Sequence, residues 1–195
     1  MEDSDAILVE RARSGDGSAF AALVHRHSAR AYRVARRLCR SGSDAEEVVQ
    51  DAFLQVHRHL DGFRGEARFA TWLYRVVTNA ALMHQRGGRE TESLEQYLPS
   101  FDSDGVQARL DVSAELPALP DEVAARAELR DRVLEVLAAL PDGQRAAFVL
   151  RDMEELTTEE VAEVLDIDPA AVRQRVHRAR LVLRGAIRRA LGGEP

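Results

Sequence analysis

The residues of this chain best equipped for chemistry are arginines. Arg173, Arg175, Arg178 and Arg180 lie within eight residues, interleaved with Gln174 and His177. Guanidinium groups make paired hydrogen bonds to phosphate oxygens and to the guanine edge, and a glutamine amide does the same with adenine. This run can therefore hold a DNA backbone and read bases. Enzyme chemistry finds much less support. His25 and His27 are two residues apart, as are His57 and His59, so neither pair shares a helix face. There is no HExxH, no phosphate-cradling glycine loop and no nucleophile elbow. Cys39 is the only cysteine, which rules out an intramolecular disulfide and a CxxC metal pattern. The expectation is a protein that is not an enzyme and uses neither metal nor cofactor.

A second constellation is aromatic. Phe63, Phe69, Trp72 and Tyr74 stand with Arg64, Arg68, Arg75 and Asn79. Aromatic rings stack on unpaired bases, and arginines hold the strand they belong to. The same rings also suit a core, because Phe69, Trp72 and Val76 recur at helical spacing. The residues alone put Trp72 in the core and leave Phe63 open between the two roles. A third group, Asp44 to Asp51, sets its acids opposite an apolar stripe. That pattern fits a solvated face, and it also fits a docking face for a partner helix.

These side chains need elements to position them. Thr157 and Glu160 have capping-box spacing, which predicts a helix start. Asp166-Ile167-Asp168 reads as a short turn, Asp168 as the cap of the next helix, and Pro169 as its first residue. Val172, Val176, Ala179 and Leu183 then form an apolar stripe with the arginines around it. Two helices, a tight turn and an arginine-rich second helix make a helix-turn-helix, the motif that places its second helix in the major groove.

The rest of the chain also reads as helical, with no useful period-two pattern. Phe20 to Leu38 form a long amphipathic helix. Ser41-Gly42-Ser43 break it, and Ser43 or Asp44 can cap the next helix, whose stripe runs from Val48 to Leu60. A third helix runs from about Phe69 to Arg86. Residues 89–120 are acidic, hold Pro99, Pro117 and Pro120, and read as an extended linker. A second helical block begins near Asp121. Val133, Leu137 and Leu140 line one helix that stops at Pro141, and Ala146, Val149 and Leu150 line a short one. The expected architecture is all-α: two small helical domains, 1–88 and 121–195, joined by the acidic linker 89–120, with the helix-turn-helix in the second.

Net charge conceals this division. The chain is −6 overall, yet residues 169–195 carry seven Arg against one Glu. Local charge decides whether a surface meets phosphates. All 27 basic residues are Arg, which we ascribe to the coding bias of a GC-rich genome. No apolar run approaches the ~20 residues of a membrane span, and the acidic start, Met1 to Asp5, is no secretory signal. A cytoplasmic protein without membrane insertion is expected.

Taken together, these segments resemble the extracytoplasmic-function (ECF) group of the sigma-70-like bacterial sigma factors. The resemblance covers nearly the whole chain outside the linker. Leu8 to Asp16 with Ala19-Phe20 looks like the family's opening. Asp44-Ala45-Glu46-Glu47-Val48-Val49-Gln50-Asp51-Ala52-Phe53 resembles its polymerase-gripping helix. Phe63-Arg64-Gly65-Glu66, Thr71-Trp72-Leu73-Tyr74-Arg75 and Asn79 resemble its promoter-melting segment, and Leu140-Pro141 through Arg180 its −35-reading domain. The resemblance implies that Glu47, Gln50 and Asp51 face the β′ clamp helices of bacterial core RNA polymerase, with the β subunit also a partner. It implies that Phe63, Arg64, Trp72, Arg75 and Asn79 meet −10 DNA, with Phe63 and Asn79 flanking the pocket for a flipped base. It implies that Arg173, Gln174, Arg175, His177, Arg178 and Arg180 meet −35 DNA. Control by an anti-sigma factor is implied as well. The chain departs from the family's pattern at Asp166, where Gly is usual, and at Thr78, Met83 and Gln174. A helix-turn-helix regulator that never joins the polymerase is the alternative, and a helical adaptor is a third class.

Overall fold

The computed structural model describes residues 3–63, 65, 68–86 and 133–190. The expected linker, the helix start near Asp121 and Arg64 lie outside them. Every regular element among the described residues is helical, as expected. Helix α1 spans Asp5–Arg13, α2 Gly17–Leu38, α3 Gly42–His59 and α4 Phe69–Arg86. Helical residues 133–139 form α5. Helix α6 spans Asp142–Phe148, α7 Thr158–Leu165 and α8 Pro169–Ala190.

Short polar side chains decide where the helices begin. Asp16 caps α2, its carboxylate accepting from the Ser18 and Ala19 backbone N–H groups at 2.9 and 3.2 Å. Helix α3 corrects the sequence reading by two to three residues. Its cap is Ser41, whose hydroxyl accepts from Asp44 N–H at 3.0 Å while the Asp44 carboxylate accepts from Ser41 N–H. Asp44 is thus the third residue of a capping box and not the cap itself.

The apolar stripes bury as their period demands. Leu23, Val34 and Leu38 of α2, Val48 and Val56 of α3, and Leu73 and Val77 of α4 are all inside. Each fully buried Leu or Val of this kind contributes about 1.5–3 kcal/mol. This cluster does not stop at the first helical block. It continues through Val149, Leu150, Val161, Val164 and Val172 of the second, because α4 packs on α7 and α2 lies against α6 and the π-helical turn at Val149–Met153. A smaller cluster of Leu137, Leu140, Phe148, Ala179 and Leu183 closes the far end.

The seam between the blocks is partly ionic. Glu154, its side chain 1% exposed, receives Arg37 at 2.6 Å, Arg30 at 3.4 Å and Arg33 at 3.6 Å. Arg145 donates across the seam to Gln85 and within its own block to Asp142. The α4 face at the seam is polar: Thr71, Tyr74, Thr78 and Gln85 are buried. The Tyr74 hydroxyl, the Thr78 hydroxyl and the Gln85 amide nitrogen make no hydrogen bond among the described residues. Leaving such a group unbonded costs about 1–3 kcal/mol, so this seam is weaker than its apolar portion suggests.

Candidate polymerase and promoter interfaces

The helix-turn-helix is built as its local chemistry dictates. Thr157 N–H donates to Glu160 at 2.8 Å, and Glu160 N–H returns to the Thr157 hydroxyl at 3.1 Å. Helix α7 ends at Asp166, in the left-handed region at φ 53 and ψ 51. Aspartate tolerates that region better than most residues, so the turn forms without glycine. Asp168 then accepts from Ala170 N–H at 2.6 Å and starts α8. Val172, Val176, Ala179 and Leu183 are buried, as their spacing requires.

The six polar residues assigned to this helix divide into two sets. Arg173, Gln174, His177 and Arg178 are exposed. Arg175 is half-buried, its guanidinium lying over Gly143 of α6; a Cβ there would stand 2.9 Å from its Nη1. Arg180 has a different occupation. It grips Asp152 with two hydrogen bonds of 2.7 and 2.6 Å, and those bonds raise its pKa above the ordinary guanidinium value. Both partners are largely buried, so in this arrangement Arg180 serves the fold.

The aromatic group forms a platform. Phe63 stacks on Trp72 with centroids 4.9 Å apart and planes 29° apart. Phe69 is buried beneath and meets both rings edge-on. Trp72 and Phe63 are partly buried, so each is at once core support and accessible ring. Arg75 and Asn79 continue outward along the same helix face, both exposed, followed by Met83 at 70% exposure. Tyr74 faces the other way, into the seam.

On α3, Glu47, Gln50 and Asp51 are all exposed on the face opposite Val48, Ala52 and Val56. Leu54 follows one turn later at 48% exposure. Sequence reading missed it, although its spacing from Gln50 and Asp51 put it on that face. No three His, Cys, Asp or Glu residues gather as a metal site among the described residues. His27 instead lies 2.8 Å from Asp5. No described helix is long and apolar enough to cross a membrane.

Known proteins resemble this arrangement closely. The family model for sigma-70 region 2 matches residues 23–91, and that for sigma-70 region 4 matches residues 130–183. The chain is 36% identical over 182 residues to the ECF RNA polymerase sigma-E factor of Escherichia coli (strain K12), covering 91% of each. It is 33% identical over 181 residues to the RNA polymerase sigma-H factor of Pseudomonas aeruginosa, covering 92% of this chain and 91% of that one. Among solved structures, CnrH in complex with the cytosolic domain of CnrY superposes with a TM-score of 0.67 at 30% identity. That match covers 94% of this chain and 96% of the other. The sigma factor RpoE bound to the anti-sigma factor NepR, from Bartonella quintana, shares the fold at 20% identity and a TM-score of 0.60, covering 87% and 96%.

Proposed function

The chain belongs to the ECF group of sigma-70-like RNA polymerase sigma factors, and from that premise we propose that it steers bacterial core RNA polymerase to promoters through three surfaces of its own. It acts in the cytoplasm and catalyses nothing; the polymerase supplies the chemistry. Residues 1–88 form the domain that holds the polymerase and opens −10 DNA. Residues 121–195 form the domain that holds −35 DNA, with 89–120 as the tether.

Glu47, Gln50 and Asp51 dock on the β′ clamp helices. Their exposure, with Glu47 and Asp51 in no ion pair among the described residues, supports this. Leu54 adds an apolar centre to the acidic stripe. The Phe63–Trp72 stack receives an unpaired −10 base, whose extrusion costs a few kcal/mol that stacking must offset. Arg64, Arg75 and Asn79 complete that site. Arg173, Gln174, His177 and Arg178 read or hold the −35 element from α8, and Arg175 reaches it from the turn's flank. Arg180 supports the helix through Asp152.

Geometry requires the two blocks to part. The −10 and −35 elements lie about 25 base pairs apart, which is about 85 Å at ~3.4 Å per pair. A compact body of this length has a radius of gyration of only ~16 Å. The tether then raises the effective concentration of the second site once the first is bound. An anti-sigma partner would act by holding the blocks together or covering these faces.

The observation that carries the reading is the pairing of both family matches with an acidic exposed stripe on one block and an arginine face on the other. Purified core polymerase should retain the chain on gel filtration. Transcription from cognate promoters should start only when the chain is added. A chain that binds DNA but never core polymerase would be an operator-binding regulator, and this reading would fall.

A further inference from the structure

From Gly17 to Ser43 the chain holds six arginines and no aspartate or glutamate. A solvated helix face ordinarily mixes signs, because opposite charges three or four residues apart stabilise it. Here Arg26, Arg30, Arg33 and Arg37 recur at spacings of four, three and four and share one face. Arg26 pairs with Asp5 at 2.6 Å. The other three converge on one carboxylate, that of Glu154.

The stoichiometry is unusual for a structural strut. Asp152 receives two hydrogen bonds from the single guanidinium of Arg180. Glu154 gathers three guanidiniums, of which Arg30 and Arg33 remain 50% exposed. Two positive charges are therefore left over at this point. The Tyr74 hydroxyl, in a residue only 3% exposed, makes no hydrogen bond among the described residues. Burial pushes its pKa up, and the charges of Arg30, Glu154 and Arg33 act on it as well. Three forked cations on one anion match the needs of a phosphate, which carries more oxygens than a carboxylate and accepts paired bonds from arginine.

We propose that Arg30, Arg33 and Arg37, with the Tyr74 hydroxyl, form a site for the DNA phosphate backbone that Glu154 fills while the two helical blocks are packed together. The proposal rests on the sigma-factor reading, since it needs the blocks to separate at a promoter. When they do, Glu154 leaves with the second block and the three guanidiniums lose their counter-charge. The row from Arg30 to Arg37 is ~11 Å long at ~1.5 Å per residue, about three nucleotides at ~3.4 Å each. DNA is favoured over an acidic protein because three forked guanidiniums match the several oxygens of a phosphate better than one carboxylate does, and because α2 packs on α4, the helix that carries the Trp72, Arg75 and Asn79 platform.

The test uses the full-length chain and a mixed-sequence 30-nucleotide single strand, with affinity followed against salt. Glu154→Gln should tighten binding. Glu154→Arg, which sets a fourth guanidinium against the three and forces the seam apart, should do so at least as well. Either change should steepen the slope of log affinity against log salt by about 2, as three added phosphate contacts on a single strand require. Adding Arg30→Gln, Arg33→Gln and Arg37→Gln should remove that gain. The site is wrong if neither Glu154 variant tightens binding, or if the gain survives the triple change. It is equally wrong if polyglutamate displaces the strand from this face at matched charge concentration, since the surface would then suit acidic protein. Arg173→Ala with Arg178→Ala separates the two levels of the argument. If duplex binding depends on that pair while the arginine row is silent, only the new site fails. If no version of the chain binds DNA while core polymerase still retains it, again only the new site fails; if core polymerase does not retain it either, the sigma-factor reading fails with it.

Discussion

Helices α3 and α8 invite comparison. Each buries a valine-rich stripe, and each carries charge on the opposite face. On α3 the charges at Glu47 and Asp51 take part in no ion pair among the described contacts and stand exposed. On α8 the arginines are shared between solvent and fold. Arg173 and Arg178 are exposed, Arg175 lies over Gly143, and Arg180 is held by Asp152. The difference follows from what each helix packs against. The charged side chains on the outer face of α3 stay exposed among the described residues, whereas Arg180 of α8 reaches the π-helical turn that carries Asp152. A charged residue near a helix crossing is drawn into structure; the same residue a turn away is left for a partner.

Reversing charge on α3 should give the largest effect. Glu47→Arg with Asp51→Arg would set like charge where opposite charge is needed, at a cost of several kcal/mol. Core polymerase binding should fall by at least about 100-fold, while the unfolding midpoint in urea stays put. A loss of stability instead would mean that the α3 face belongs to the fold, as part of α8 does. On α8 the order should invert at one position. Asp152→Ala strands a largely buried guanidinium and should cost about 3 kcal/mol in urea unfolding, with Arg173→Ala costing under ~0.5 kcal/mol.

The reverse holds for DNA. Arg178→Ala should weaken duplex binding by about 1–3 kcal/mol if it reads a base. If it holds a phosphate, the salt slope should instead drop by ~0.9. Gel-shift titrations across salt tell these apart, and an unchanged affinity would remove Arg178 from the interface. A smaller effect belongs to the turn. Asp166→Val forces a β-branched residue into the left-handed region and should cost about 1–2 kcal/mol, whereas Asp166→Gly should be neutral or stabilising in thermal melts.

Acid should act most gently, and chiefly on the first block. Hydrogen bonds from Ser18, Arg11 and Ala19 hold the Asp16 carboxyl well below its ordinary 3.8. The Ser41 hydrogen bonds lower Asp44 as well. Because both folded values are depressed, their contribution is fully present above about pH 4 and is lost as pH falls through the lowered values. Asp16→Asn keeps the helix cap and should flatten the acid limb of a circular-dichroism titration. An unaltered limb would place the acid-sensitive groups elsewhere.

Much of this molecule was legible because its determinants are local. The Thr157–Glu160 box, the Asp168 cap and the Val172–Leu183 stripe each involve residues within a few turns, so spacing alone reveals them. The α3 start was misjudged for a local reason too: Ser41, Ser43 and Asp44 are all competent caps, and only backbone geometry selects among them. Leu54 was readable from its spacing and was overlooked.

What the chain's order of residues settled by itself was helix content, the turn, and which faces are apolar, since helical period and capping act over fewer than eight positions. What tertiary structure decided was which charges are spent. Glu154 meets Arg37 across 117 positions, and Arg180 meets Asp152 across 28. No local pattern distinguishes those residues from their exposed neighbours. Pairing at such range depends on how whole helices cross, and the crossing is set by the sum of the apolar stripes together and by no charged residue's own surroundings.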